Sequence, residues 1–92
     1  MTNSNEDAGT IQVILEQLNK YRLPRMLALK KRVDHGEKLT QDDLDFLRLA
    51  LKEGHEASPL IARHAEYQSL AARLVSLYDE ITREALENEK GA

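Results

Sequence analysis

The chain has 92 residues and a formal net charge of −3, and 41% of its residues are hydrophobic. A chain of this length folds as one domain and buries only about two-thirds of its unfolded surface, so its core is modest. The sequence contains no cysteine, which excludes disulfides, thiolate metal sites and cysteine nucleophiles within it. Its aromatic residues, three Tyr and one Phe, are too few to predict a base-stacking platform.

The hydrophobic pattern predicts an all-α fold: a small helical bundle of three short helices and one long C-terminal helix. Residues 1–9 have no periodic apolar positions and are predicted to form a disordered tail. Residues 10–89 are predicted to form a single helical domain, and residues 90–92 a flexible C-terminus. No apolar run reaches the roughly 20 residues that cross a bilayer, and no secretory signal pattern opens the sequence. We therefore expect a cytoplasmic protein without a membrane partner.

The first two helices are predicted on either side of a proline. The first begins near Thr10, and its apolar residues follow Ile11 at helical spacing. Pro24 lacks an amide hydrogen and disfavours the α conformation of the preceding residue, which predicts either a break or a kink. The sequence leaves both alternatives open. The second helix is predicted from Pro24 to about His35, with Gly36 as the left-handed residue that ends it.

The third helix has the clearest predicted boundaries. Thr40 is suited to cap its first turn, and Asp42 and Asp43 lie where the helix dipole favours negative charge. Gly54 is predicted to end this helix.

The fourth helix is predicted to be the longest element. Ser58 is its predicted N-cap and Pro59 its first helical residue, and no further Gly or Pro interrupts it before about Asn88. Such a helix is roughly 45 Å long at 1.5 Å per residue. Its apolar positions, which we call the apolar stripe, are Tyr67, Leu70, Leu74, Leu77, Tyr78 and Ile81. Three short helices cannot cover this stripe as a single antiparallel layer. We therefore expect them to stack end to end along it and a second copy to cover the rest, which gives a homodimer through the long helix; the alternative is a monomeric bundle with frayed last turns.

A basic segment covers the predicted proline break and the second helix. It contains no acidic residue. Its cations are Lys20, Arg22, Arg25, Lys30, Lys31 and Arg32. We expect it to dock onto a larger protein partner, or to pair with the acidic end of the fourth helix within one chain or across a dimer. The alternative is a nucleic-acid-binding regulator. The acidic first turn of the third helix argues against that alternative, because it would repel phosphate.

The only metal-ligand candidates combine histidines with nearby acids: Glu53, His55, Glu56 and His64. Their spacing matches neither a His-Glu-x-x-His motif nor the Glu-x-x-His motif of di-iron bundles. We therefore predict no metal or other cofactor, and a metal-binding helical protein that uses His55 and His64 is kept as a second alternative function. The sequence also has no nucleophile–base motif and no phosphate-binding Gly loop, so we predict a protein that is not an enzyme.

Several short strings in the chain are characteristic in combination. They include Leu23-Pro24-Arg25, Asp45-Phe46-Leu47, Arg63-His64, Leu77-Tyr78 and Ala85-Leu86. The pattern resembles a family of short, uncharacterised bacterial all-helical proteins over most of residues 18–89. This resemblance implies a bacterial source and an all-helical fold, and it implies no activity, cofactor or partner.

Overall fold

The computed structural model describes the backbone of residues 4–91 and the side chains of residues 7–91. Within these residues the chain is all-α, has no β-strand and forms three long helices rather than the four predicted. The first helix is continuous and has three parts, α1 (Ser4–Gln17), a π-helical segment (Leu18–Arg22) and α2 (Leu23–Asp34). The second helix is α3 (Gln41–Ala62), and a 3₁₀ turn (Ala65–Tyr67) leads to the third, α4 (Gln68–Gly91).

The three helices lie side by side in an elongated bundle that measures 55 × 19 × 17 Å. Asp7, near the start of α1, contacts Arg63 just after α3. The carbonyl of Val33, at the end of α2, accepts a hydrogen bond from Asn88 near the end of α4. The first helix and α4 therefore run in the same direction, and α3 runs back between their ends.

Pro24 is accommodated within the first helix and does not break it. Five residues before the proline adopt π-helical geometry, and the amide of Leu23 donates to the carbonyl of Leu18. Because Pro24 has no amide hydrogen and its ring crowds the preceding turn, a wider turn at this position relieves the clash. This resolves the alternatives left open by the sequence in favour of one continuous helix.

The predicted end of the second helix at Gly36 and the predicted start of the third at Thr40 are confirmed. Gly36 has a φ of 87°, in the left-handed region that glycine adopts without strain. The hydroxyl of Thr40 accepts from the amide of Asp43 at 3.2 Å, and the Asp43 carboxylate accepts from the amide of Thr40 at 2.9 Å. This reciprocal capping box satisfies two amides that the start of a helix leaves without partners.

The predicted boundary between the third and fourth helices is wrong. Gly54, Ser58 and Pro59 all lie inside α3, which continues to Ala62. Phe46 and Leu47 before this stretch and Leu60 after it are all buried. Their burial offsets the low helix propensity of Gly54 and the hydrogen bond that Pro59 cannot make. The chain instead leaves the helix at Arg63 and His64, where no Gly or Pro marks the end.

The two ends of the described chain also differ from the predicted limits. α1 begins at Ser4 and therefore includes most of the segment predicted as a tail, whereas the sequence predicted a helix start near Thr10. α4 extends to Gly91. The predictions for residues 1–3 and for Ala92 lie outside the described residues. None of the helices that the structure describes is long and apolar enough to cross a membrane.

The core lies mainly at one end of the bundle, which we call the core end. Its central cluster is formed by α2, the first half of α3 and the second half of α4, and comprises Met26, Leu29, Phe46, Leu47 and Ile81. The opposite end, which we call the groove end, is formed by α1, the last turns of α3 and the first half of α4. Among the side chains described there, only Ile11 and Leu60 are buried. The two ends of the bundle thus differ clearly in packing.

Candidate interaction surfaces

The apolar stripe of α4 lies against the other helices of the same chain. Ile81 is 0% exposed, and Leu77 and Tyr78 pack against the core cluster. The remaining members, Tyr67, Leu70 and Leu74, are partly buried at the groove end. The expectation that companion helices are too short to cover the stripe is therefore wrong, because the first helix runs alongside it.

An apolar groove between α3 and α4 is filled incompletely by α1. Its walls are apolar and include Leu60, Ile61, Leu70 and Leu74, against which α1 places Ile11 and Leu15. A cavity of about 70 Å³ remains between these side chains. That space is well below the roughly 300 Å³ of a typical small-molecule site, so it reflects loose packing of α1. Ile14 also lines the groove and is 39% exposed.

A polar cluster closes the groove end at the start of α1. The carboxylate of Asp7 accepts from Nε of Arg63 at 3.1 Å and from Nη2 of Arg63 at 3.2 Å. Nε2 of His64 lies 3.0 Å from the same carboxylate, and the His64 ring meets the Tyr67 ring edge-on. Hydrogen bonds from Arg63, which has the larger effect, and from His64 lower the pKa of Asp7 below its usual value. We call this set, Asp7 with Arg63 and His64, the latch.

The basic segment pairs first with α3. The Arg22 guanidinium donates from Nε and Nη2 to the two carboxylate oxygens of Glu53, each at 2.9 Å. This two-point geometry fixes both side chains more firmly than a single contact does. Arg25 stacks over the Phe46 ring, with Cζ 4.5 Å from its centroid. The beginning of α2 is therefore anchored to α3.

The second half of the segment pairs with both neighbouring helices. Nζ of Lys30 lies 2.8 Å from the Glu84 carboxylate and also pairs with Asp34. Hydrogen bonding to these two carboxylates raises the pKa of Lys30, and Asp34 has the larger effect. Arg32 lies 3.0 Å from Asp43. Of the pairing that the sequence predicts between the basic segment and the acidic end of α4, the described residues form one contact, Lys30 with Glu84. Arg22 and Arg32 instead contact acids of α3.

These pairs leave only part of the basic segment open to an external partner. Lys20, Arg25 and Lys31 are exposed, and the Lys20 ammonium lies 5.4 Å from the Tyr21 ring centroid. Nonspecific nucleic-acid affinity depends on the number of phosphates that cations neutralise. Because carboxylates of the same chain already contact Arg22, Lys30 and Arg32, the geometry gives little support to the nucleic-acid alternative.

The structure does not assemble the candidate metal ligands. His55 and Glu56 are exposed on α3, whereas His64 lies beyond its end in the latch. Glu53 is held by Arg22. Across the part of the chain that the structure describes, no three His, Asp or Glu side chains form a group that could hold a metal ion.

The sequence interpretation missed several residues that fix the helices to one another. Asn88 donates from Nδ2 to the carbonyls of Val33 and Glu37, each at 2.9 Å, and so caps the end of α2 from α4. Asp7 fell in the segment predicted as a tail, and Arg63 carried no assigned role. These contacts join residues more than 50 positions apart, so no local spacing pattern indicates them.

Together, these features define a small all-α protein, a three-helix bundle with one well-packed end and one loosely packed end. In comparisons with protein-family models, curated proteins and solved structures, none matched the chain. The resemblance to a family of short bacterial helical proteins stays a prediction.

Proposed function

We propose that this chain is a helical protein–protein interaction module that self-associates as a homodimer through its groove end. The observation that carries the proposal is the contrast in packing between the two ends of the bundle. At the groove end, α1 leaves a cavity of about 70 Å³, and Ile14 on its edge is 39% exposed. A second copy that covers this edge buries further apolar surface, which adds to the small core that a chain of this size can form.

The proposal retains one half of the α4 surface expected from the sequence. Tyr67, Leu70 and Leu74 border the groove and are partly accessible, so a second copy can contact them. Ile81 is 0% exposed and Leu77 packs on the core, so neither belongs to the proposed interface. Docking of a larger protein on Lys20 and Lys31 would leave this interface free.

The proposal is tested by the solution mass of the chain and of two matched variants. Light scattering at up to millimolar concentration should show an approach to twice the monomer mass of 10.5 kDa. Ile14→Lys places a charge at the apolar edge and should weaken the dimer by about tenfold or more, which corresponds to roughly 1.4 kcal/mol. Val13→Lys is the control, because Val13 is 55% exposed and does not line the groove.

Two results would contradict the proposal. The first is a strict monomer at the highest concentration, which removes self-association altogether. The second is a dimer that both lysine variants weaken equally, which removes its assignment to the groove. Circular dichroism of each variant shows whether the helices remain formed.

A further inference from the structure

We propose that α1 is exchanged between two copies of the chain, so that the α1 of each copy occupies the groove of the other. This inference rests on the proposed self-association and specifies the segment that the partner copy contributes. Exchange of an identical element is a low-cost route to a dimer, since every contact it makes is already encoded within one chain.

α1 is attached to its own groove by few contacts. Of its side chains from residue 7 onward, only Ile11 is buried, at 8% exposed, and the cavity lies between α1 and the other two helices. Among the side chains of α1 that the structure describes, the polar contact with that end of the bundle is the latch, in which Asp7 pairs with Arg63 and His64. α1 can therefore leave the groove without disrupting the central cluster at the core end.

The π-helical segment provides the position at which α1 can change direction. Its five residues, Leu18–Arg22, include no buried side chain, and their hydrogen bonding already departs from the α-helical pattern. π-Bulges and prolines are the usual sites at which a long helix bends. The two-point pair of Arg22 with Glu53 fixes the far side of the segment to α3. Movement is thus confined to the residues that precede Arg22.

The groove specifies the chemistry of its occupant. Arg63 and His64 lie at one end of the groove and bind a carboxylate, and the walls beyond them contact apolar side chains. α1 supplies this pattern, with Asp7 one helical turn before Ile11 and with Leu15 one further turn along the same face. The α1 of a second copy has the same pattern, so it fits the groove with the same contacts, while the rest of that copy covers the edge at Ile14 as proposed above.

A charge exchange across the latch distinguishes an exchanged dimer from two closed chains. Asp7→Arg and Arg63→Asp each place like charges in the latch, whether the chain is closed or exchanged with an identical copy. When the two variants are mixed, only exchange brings each altered residue opposite its complement. The chain that carries both substitutions is the matched control, because its latch is restored in every arrangement.

The measurement is the share of heterodimer in an equimolar mixture in which one variant carries a mass tag. At a concentration where the unmodified chain is dimeric, exchange should raise the ratio of heterodimer to homodimer about threefold or more above its statistical value. A statistical ratio overturns the exchange. A monomeric unmodified chain overturns the proposed self-association as well, so the two failures are distinguishable.

A second variant covers the case in which the charge variants do not fold. Because the chain has no cysteine, Asp7→Cys combined with His64→Cys introduces the only two thiols. A short bis-maleimide applied at dimer-forming concentration should join them between chains, which gives a covalent dimer on a denaturing gel. Cross-linking confined to single chains overturns the exchange.

Discussion

The guanidinium of Arg32 lies 3.0 Å from the carboxylate of Asp43, and this contact joins the end of α2 to the first turn of α3. Asp43 is 5% exposed, and it also accepts from the backbone amide of Thr40. One carboxylate therefore caps a helix and fixes the position of its neighbour. Because a buried charge is costly without partners, each of these donors stabilises the folded state.

Acid should destabilise the protein through Asp43. Burial raises the pKa of this carboxyl, but hydrogen bonds from Thr40 and Arg32 outweigh burial and lower the pKa below the ordinary value of 3.8. A group whose pKa is lower in the folded state contributes stability above its unfolded pKa and loses it as pH falls through its folded pKa. We therefore expect the free energy of unfolding, measured with urea, to fall as pH decreases below about 4.

Asp43→Asn should reduce that dependence on pH and lower the free energy of unfolding at neutral pH by about 1–3 kcal/mol. Asp45→Asn is the control, because the Asp45 side chain is 57% exposed, and its effect should stay within about 0.5 kcal/mol. Equal acid sensitivity of the Asp43→Asn variant and the unmodified chain would show that Asp43 is not the responsible group.

The unequal packing of the two ends should be measurable by truncation of apolar side chains. Ile81 is 0% exposed in the central cluster, so Ile81→Ala should lower the free energy of unfolding by about 3–4 kcal/mol. Leu70 lines the groove beside an existing cavity, so Leu70→Ala should cost about half as much. Denaturant unfolding of both variants tests this, and a larger loss for Leu70→Ala would contradict the described asymmetry.

The continuity of α3 through Gly54 predicts opposite effects of the same substitution at two glycines. A Cβ at Gly54 would meet no atom within 4 Å, so Gly54→Ala should stabilise the helix by about 0.5–1 kcal/mol. Gly36 also has free space, but its φ is 87°, so Gly36→Ala should destabilise the chain by about 1 kcal/mol. Thermal unfolding compares them, and a destabilised Gly54→Ala variant would indicate that the helix ends at Gly54.

Local chemistry explains which helix boundaries could be predicted. Thr40 and Asp43 cap a helix through contacts three residues apart, and Gly36 acts through its own backbone, so both signals are present in the sequence. Ser58 and Pro59 form an equally good local start signal, yet they lie inside α3. Burial of Leu60 and Leu47 on either side of them decides the outcome, and that burial depends on distant helices.

The candidate surfaces were predictable only in part for the same reason. The basic segment was evident from composition, but its partners Glu53 and Asp43 are known only once α3 is packed beside α2. The latch joins Asp7 to residues 56 and 57 positions away, beyond any periodic pattern. His64 was noted as a metal-ligand candidate, and the structure assigns it a carboxylate partner on α1 instead.

The 55 Å length of the bundle makes its two ends electrostatically independent. At physiological ionic strength, charges more than about 8 Å apart are largely screened from one another. The latch at Asp7 and the Lys30–Glu84 pair lie at opposite ends and share no residue. A proton gained at one end therefore has little effect on the ionisation of the other, so each end of the bundle titrates according to its own local contacts.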